Sequence, residues 1–219
     1  MGARKLIKFA EYNESPHSFD MNDETSGKWN AHFKNNHPIV LELACGKGDY
    51  TVNLAQMFPN KNFIGVDIKG SRMWRGCKTI AEKGITNAAF LRIQIDNIQS
   101  FFAPGEVSEI WITFPDPQPQ KARKRLTHPK FLNTYLPLMA GNGRINLKTD
   151  SDLMYEFTKE VVAQNQLPIL ENIANVYAQQ PVSDIMQIQT YYEKMWLSEG
   201  RTIKYIAFEL GKETSYIAP

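Results

Sequence analysis

The chain has 219 residues, of which 42% are hydrophobic and 22% are charged, and its net charge is +2. These values are typical of one α/β domain with a short extension. No apolar run reaches the roughly 18 residues that cross a membrane, and the first residues lack a long apolar signal core, which predicts a cytoplasmic protein. The two cysteines and four histidines have no ligand spacing, so neither a metal site nor a disulfide framework is expected.

Residues 1–38 are mixed in charge and hydropathy. We interpret them as an N-terminal arm that is partly disordered, with a short helix around Trp29. The arm carries three early basic residues that are more typical of a disordered tail than of a binding site. Residues 39–219 are expected to form the main domain.

A glycine loop follows the first apolar run of that domain. Ile39–Leu43 is apolar except for Glu42, as in a strand that is buried on both faces of a parallel sheet. Gly46 and Gly48 allow a sharp turn and a close approach to a ligand. Asp49 is then the predicted N-cap of a helix. Strand, glycine loop and helix are how doubly wound α/β proteins begin a nucleotide-type site.

The residues around this loop indicate which nucleotide it would bind. Thr51 stands where a dinucleotide-binding fingerprint has its third glycine, and the acids Glu42 and Asp49 do not favour a pyrophosphate. Asp67 ends the next strand 21 residues after Gly46, close to the spacing of a ribose-binding carboxylate. Alone, Asp67 would be interpreted as a surface-loop residue. Together these residues favour S-adenosylmethionine, whose amine and sulfonium are cationic.

Two later strands also end in polar residues. Asp96 and Asn97 follow the strand Ala88–Ile95, where a carboxylate and an amide can recognise adenine, although such a pair is also common in turns. A fourth strand runs from Glu109 into a loop in which three prolines surround Asp116. The prolines fix the backbone, so this loop is suited to hold a catalytic group, and a proline-rich connector is the weaker alternative.

The remaining chain supplies basic and hydroxyl groups. Between Gln118 and Phe131 there are five basic residues and no acid, which indicates either a solvated loop or a phosphate-binding surface. Asp150 ends a strand over 144–148. Thr190 and Glu193 have capping-box spacing before a helix, and the threonine hydroxyl at such a helix start can also meet a substrate.

On these motifs the chain resembles the bacterial tRNA (guanine-N7-)-methyltransferase family over roughly residues 39 to 210. A glycine loop is shared by all class I methyltransferases, whereas the Phe-x-Asp-Pro motif with the motifs that follow it is specific. The matching motifs are Glu42-Leu-Ala-Cys-Gly46-Lys-Gly48, Asp67, Asp96, Phe114-Pro-Asp116-Pro117, Lys124-Arg125-Leu126-Thr127, Thr149-Asp150 and Thr190-Tyr-Tyr-Glu193.

The resemblance implies a Rossmann-like class I methyltransferase fold of the α/β class, with a seven-stranded, mostly parallel sheet and helices on both faces. It implies a methyltransferase domain over 39–219 that transfers a methyl group from S-adenosylmethionine to N7 of a variable-loop guanosine in tRNA, with Asp116 as the catalytic residue. The implied cofactor-binding residues are Glu42, Gly46, Gly48, Asp67, Asp96 and Asn97. The implied substrate-binding residues are Gln120, Lys121, Arg123, Arg125, Asp150, Thr190 and Glu193. Neither a membrane nor a metal is expected as a partner, and the protein would be a monomer or a homodimer.

Three residues depart from the family pattern. Ala44 replaces a glycine, a mild change because alanine tolerates most backbone conformations except positive φ. Gln118 replaces a tryptophan, and Gln120 stands where a lysine is usual, with Lys121 next to it. Two other functions remain open. The first is another class I methyltransferase, acting on a different RNA position or on an amine. An enzyme for an exocyclic amine would need an Asn/Asp-Pro-Pro-aromatic loop, and Pro115-Asp116-Pro117-Gln118 lacks the aromatic residue and the paired prolines. The second is a non-catalytic RNA-binding relative that has lost the methyl donor. The intact cofactor motifs argue against it, namely Glu42, Gly46, Gly48, Asp67 and Asp96.

Overall fold

The structure is a computed structural model that describes residues 3–211 and 215–219. The strands are Ser18–Asp20 (β1), Ile39–Leu43 (β2), Asn62–Asp67 (β3), Ala88–Arg92 (β4), Val107–Thr113 (β5), Met139–Thr149 (β6), Ile169–Ile173 (β7) and Lys204–Leu210 (β8). The α-helices are Ala3–Asn13 (α1), Trp29–Phe33 (α2), Asp49–Met57 (α3), Gly70–Lys83 (α4), Pro129–Tyr135 (α5), Asp152–Gln164 (α6) and Tyr191–Ser198 (α7). Short 3-10 helices, among them Ile95–Ser100, lie in the connections.

The strands form one sheet in the order β1-β4-β3-β2-β5-β6-β8-β7. Strand β8 is antiparallel to both of its neighbours, and the pairs from β1 to β6 are parallel. The predicted α/β class and mostly parallel sheet are therefore confirmed. The described sheet has eight strands rather than seven, because Ser18–Asp20 pairs in parallel with β4 at its edge. The carboxyl ends of β2 to β6 meet at one edge, where ligands bind in such folds.

The N-terminal segment differs from the expected arm. Over its described residues it forms α1, β1 and α2, and α1 packs along α4. Tyr12 on α1 is buried, and its hydroxyl donates to the carbonyl oxygens of Phe19 (3.0 Å) and Phe90 (3.3 Å). These two bonds tie α1 to both strands of the β1-β4 pair. The predicted short helix around Trp29 is present as α2.

Two hydrophobic layers cover the sheet. Leu41 and Leu43 of β2 pack into one layer and Val40 packs into the other, so successive residues point to opposite faces and both faces are buried. This arrangement explains why β2 is a continuous apolar run rather than an alternating one. No helix of the described residues is long and apolar enough to cross a membrane.

Candidate active site

A continuous crevice follows the carboxyl edge of the sheet and consists of three adjoining cavities. The first has a volume of about 430 Å³ and is lined by Asp67 and Asp96. The second, of about 390 Å³, lies over the glycine loop and shares Ala44 and Asp67 with the first. The third, of about 750 Å³, shares Asp116 with the second and reaches Asp150. Four of the predicted acids therefore line one crevice, at the ends of four different strands.

The glycine loop is fixed by the acid at the end of β3. The Gly46 N–H donates to Asp67 Oδ2 at 3.0 Å, and Asp67 Oδ1 accepts from the Lys69 N–H at 2.9 Å. Gly46 has a φ of +58° and lines the crevice, and a Cβ at this position would project into open space. Ala44 also has a positive φ, +57°, so its replacement of glycine is not the mild change that the sequence predicted.

Gly48 serves packing rather than the crevice. A Cβ at Gly48 would come within 2.3 Å of the Phe90 ring, which fills the space under the loop. Gly48 is also the N-cap of α3, with a φ of +74°, so the prediction that Asp49 is the N-cap is wrong. Asp49 is instead the first helical residue, and its Oδ2 accepts from the Tyr191 N–H at 3.2 Å. Asp49 thereby joins the loop to the start of α7.

Glu42 lies beneath the loop and is not part of the crevice wall. Its side chain is buried, and one oxygen accepts from the N–H and the hydroxyl of Thr51 at 2.7 and 2.6 Å. The other oxygen accepts from the Thr113 hydroxyl at 2.9 Å. Burial raises the pKa of Glu42 to about 7, and these hydrogen bonds oppose the rise. Glu42 thus connects β2, α3 and β5 under the site, so any effect on a cofactor is indirect.

The structure separates the predicted pair Asp96 and Asn97. Both lie in the 3-10 helix Ile95–Ser100, and Asp96 lines the first cavity, where it forms an ion pair with Lys130. Asn97 instead lines a neighbouring cavity with Arg92. The reason is local: in a helical turn, consecutive side chains point in different directions.

Asp116 is exposed at the boundary between the second and third cavities. Its Oδ1 accepts from the Gln118 N–H at 3.0 Å, which closes a short turn around Pro117. Phe114 and Gln118 on either side have positive φ angles of 50° and 46°. Non-glycine residues in this conformation persist only where the surroundings enforce it, and they are concentrated at functional sites.

Arg125 is buried and does not lie on the phosphate-binding surface that the basic run predicted. Its Nε donates to the Pro117 carbonyl oxygen at 3.0 Å, and its guanidinium lies 4.5 Å from the centre of the Phe157 ring. This arginine therefore holds the Asp116 loop from behind. Gln120, Lys121 and Arg123 are exposed, as a surface that contacts a substrate requires.

The far wall of the third cavity is formed by β6, α7 and the start of β8. Asp150 forms an ion pair with Arg201 at 2.9 Å, and Arg201 lies 3.8 Å from the Trp196 ring centre. Arg72, Trp196 and Arg201 line the cavity but belong to none of the predicted site motifs. No motif in a single sequence marks them, because each comes from a different helix or loop. Tyr192 also lines this wall. It lies within the predicted Thr190–Glu193 motif, although only Thr190 and Glu193 were expected to bind substrate.

Thr190 and Glu193 have different environments. The Thr190 hydroxyl caps α7 by accepting from the Glu193 N–H at 3.0 Å, and Thr190 lines the second cavity. The Glu193 carboxylate is fully buried, where it contacts Lys148 Nζ at 2.6 Å and the Tyr177 hydroxyl at 2.7 Å. Glu193 therefore does not reach the crevice. Its role in this structure is to anchor α7 to β6.

Comparison with known proteins shows the family of the chain and proteins with a similar fold. A family profile described as "Putative methyltransferase" matches residues 36–206. A tRNA (guanine-N(7)-)-methyltransferase of Bacteroides thetaiotaomicron is 50% identical over 97% of this chain and 88% of its own, and one of Porphyromonas gingivalis is 53% identical over 85% of this chain and 77% of its own. The 16S rRNA methyltransferase KamB superposes with a TM-score of 0.68 at 12% identity, covering 86% of this chain and 95% of its own. The structural similarity supports the fold alone.

The family profile over residues 36–206 defines the chain as a methyltransferase, and the strand-end crevice is where such a fold binds its ligands. With relatives at about half identity over nearly the whole chain, the chain belongs to the tRNA (guanine-N(7)-)-methyltransferase family. The predicted family and cofactor are thus confirmed.

The crevice fits this cofactor. Asp67 and Asp116 complement the cationic groups of this ligand, whereas the charge of Asp96 is already paired with Lys130. A Cβ at Gly46 would fill the space that a ligand over the loop requires. Ile68 is 53% exposed and offers an apolar surface beside Asp67 for a flat ring.

Proposed function

We propose that this protein transfers a methyl group to N7 of a guanosine in the variable loop of tRNA, and that Asp116 is the catalytic residue. The observation that carries the proposal is the position of Asp116. Its exposed carboxylate stands between the second cavity, over the glycine loop, and the third cavity, in a turn fixed by prolines. A group in that position can contact a base held beside the cofactor.

The chemistry requires little proton transfer. Guanine N7 carries a free lone pair at neutral pH, so no general base is needed to expose it. The bound cofactor supplies an electrophilic methyl group on a sulfonium. The Asp116 carboxylate would accept hydrogen bonds from guanine N1–H and the N2 amine, which raises electron density at N7 and stabilises the positive charge that forms on the base. By analogy with single oxyanion-hole groups, this stabilisation lowers the activation free energy of methyl transfer by about 2 to 4 kcal/mol.

The third cavity is large enough for an extruded nucleoside, and base extrusion gives the enzyme access to a guanine in folded tRNA. Asp150 and Thr190 would contact the sugar or the base edge from the opposite wall. Tyr192 is 39% exposed, and with Trp196 it offers aromatic surface for stacking.

Arg201 and Arg72 would contact the flanking phosphates. The Lys148–Glu193 pair would act only by positioning α7.

The basic loop would hold the RNA backbone from the side of α5. Gln120, Lys121, Arg123 and Lys124 are exposed, which suits phosphate contacts. Replacing both Lys121 and Arg123 by glutamine should raise the tRNA KM and reduce the salt dependence of binding, with kcat nearly unchanged. Unchanged binding would show that the loop is merely solvated. We further propose that the protein is cytoplasmic. Its oligomeric state, a monomer or a homodimer, remains a prediction.

Analysis of the reaction product tests the function. The protein is incubated with bulk tRNA and isotopically labelled S-adenosylmethionine, and the tRNA is digested to nucleosides for mass spectrometry. We expect 7-methylguanosine as the labelled nucleoside, located in the variable loop by partial digestion. Another methylated nucleoside would support the alternative of a different RNA methyltransferase. Tight binding of cofactor and tRNA without transfer would support a non-catalytic relative.

A further inference from the structure

A second group of basic residues lies on α1, outside the crevice. Arg4, Lys5 and Lys8 line a shallow depression of about 250 Å³ together with Ser71 of α4. Within residues 3–211 and 215–219, none of the three cations has an ion-pair partner. Lys8 still interacts electrostatically with the Glu11 carboxylate, whereas Arg4 and Lys5 are exposed. Cations grouped in this way around one hydroxyl are suited to an anion with several oxygens.

The helix that carries these charges is firmly packed. Tyr12 is anchored under the β1-β4 pair, and the Trp74 indole of α4 donates to the Glu11 carboxylate. Phe9 packs at Gly70, where a Cβ would come within 3.1 Å of its ring. The Lys8 ammonium lies 4.6 Å from the centre of the Trp74 ring. The backbone of α1 is therefore held against the domain, which reduces the entropy that the helix itself would lose on binding.

The depression lies at the same end of α4 as the crevice. Ser71 lines the depression, and the next residue, Arg72, lines both the second and third cavities. The basic loop with Lys121 and Arg123 follows β5, whereas α1 packs along α4 on the β3-β4 side, so basic groups flank the site from two directions. A polyanion that reaches into the third cavity would pass near both groups.

We propose that Arg4, Lys5, Lys8 and Ser71 form a second binding surface for backbone phosphates of the tRNA substrate. The inference rests on the proposed function, since it extends the RNA path from the crevice onto α1. An anionic membrane is the competing partner, because Leu6 and Ile7 on α1 are 55% and 58% exposed. Tyr12 and Phe9 are committed to packing within the protein, so α1 lacks the broad apolar face that binds a bilayer.

The test measures the affinity of the full chain for tRNA over a range of salt concentrations, by fluorescence anisotropy. The variant Arg4→Gln/Lys5→Gln removes two charges and leaves the Lys8–Trp74 contact intact. We expect a roughly tenfold weaker Kd near 0.15 M salt and a salt slope that is smaller by about 1.5, the value for two lost phosphate contacts. Helical content by circular dichroism should be unchanged.

The matched control is Lys34→Gln/Lys83→Gln, which removes the same charge at exposed positions near the amino ends of the parallel strands. The control should bind tRNA like the unmodified protein. The proposal would be overturned if tRNA affinity fell equally in both variants or in neither. It would also be overturned if the α1 variant lost binding to phosphatidylserine vesicles while its tRNA affinity was unchanged. Weaker tRNA binding by the α1 variant, in a protein that forms no 7-methylguanosine, would leave this surface standing and reject the proposed function.

Discussion

Lys148 Nζ lies 2.6 Å from Glu193 Oε1, and both side chains are fully buried. Burial lowers the pKa of Lys148 and raises the pKa of Glu193, while the contact between the two charges opposes both shifts. The ammonium also donates to the carbonyl oxygens of Met186 and Ile188, at 2.9 and 3.2 Å. One lysine on β6 therefore holds the segment that leads into Thr190 and α7, behind the far wall of the crevice.

Removing one member of this pair should destabilise the protein strongly. Glu193→Gln leaves the Lys148 ammonium buried without a counter-charge, and we expect a loss of about 3 to 5 kcal/mol in the free energy of unfolding. The double variant Lys148→Met/Glu193→Gln should lose less than Glu193→Gln alone. Urea denaturation measures all of them. The exposed pair Lys159–Glu156 is the control, and Glu156→Gln should leave the unfolding free energy nearly unchanged. A small effect of Glu193→Gln would contradict the buried ion pair.

Arg125 separates a positioning role from phosphate binding. Arg125→Lys keeps the charge but cannot keep both the Pro117 contact and the stacking on Phe157. We expect kcat to fall about tenfold, because the Asp116 loop loses its support, with the tRNA Kd unchanged. The same change at exposed Arg123, Arg123→Lys, should leave kcat unaltered. If Arg125→Lys instead altered only the Kd for tRNA, Arg125 would be an RNA contact.

Glu42 should make stability depend on pH. Its pKa is raised from 4.5 in the unfolded chain to about 7 in the folded protein, so the folded state binds the proton more tightly. Its contribution to stability is therefore full below pH 4.5 and declines as pH rises to about 7. At about 1.4 kcal/mol per pKa unit, the decline is of order 3 kcal/mol.

The variant Glu42→Gln isolates this effect, because glutamine keeps hydrogen-bonding partners for Thr51 and Thr113 but does not titrate. We expect the unfolding free energy of the unmodified protein, minus that of Glu42→Gln, to fall between pH 5 and pH 8. A difference that stays constant across this interval would show that Glu42 has an ordinary pKa.

Ala44 has a backbone conformation that glycine adopts more easily. With a φ of +57°, Ala44→Gly should raise the free energy of unfolding by up to about 1 kcal/mol, as the relief of left-handed strain exceeds the entropy cost of glycine. Thermal denaturation measures the change. Ala55→Gly, inside α3, is the control and should destabilise the protein. A lower melting temperature for Ala44→Gly would contradict the strain.

Several features of the site followed from spacing and periodicity. The spacing of 21 positions from Gly46 to Asp67 predicted a glycine loop next to a strand-end carboxylate, and the structure joins the two by a hydrogen bond. The helix after Thr190 also formed as predicted, since its capping box is a local signal.

Features that depend on tertiary contacts could not be predicted. Strand β1 has three residues, too few for a period of two to be recognised, and it exists because β4 offers an edge. Arg125 belongs to a run of charges that resembles a solvated loop, and only the Phe157 ring and the Pro117 carbonyl make its burial possible. The positive φ of Ala44 likewise depends on how β2 passes into the loop.

The most direct test of the account is the rate of methyl transfer by Asp116→Asn in single-turnover experiments with saturating cofactor and tRNA. Asparagine preserves the size of the side chain and removes its negative charge. We expect the rate to fall by about 30- to 1,000-fold, the range that corresponds to a stabilisation of about 2 to 4 kcal/mol, with S-adenosylmethionine affinity by calorimetry little changed. Glu160→Gln, an exposed acid on α6, should transfer at the unmodified rate. A rate for Asp116→Asn close to that of the unmodified protein would contradict a catalytic role for Asp116.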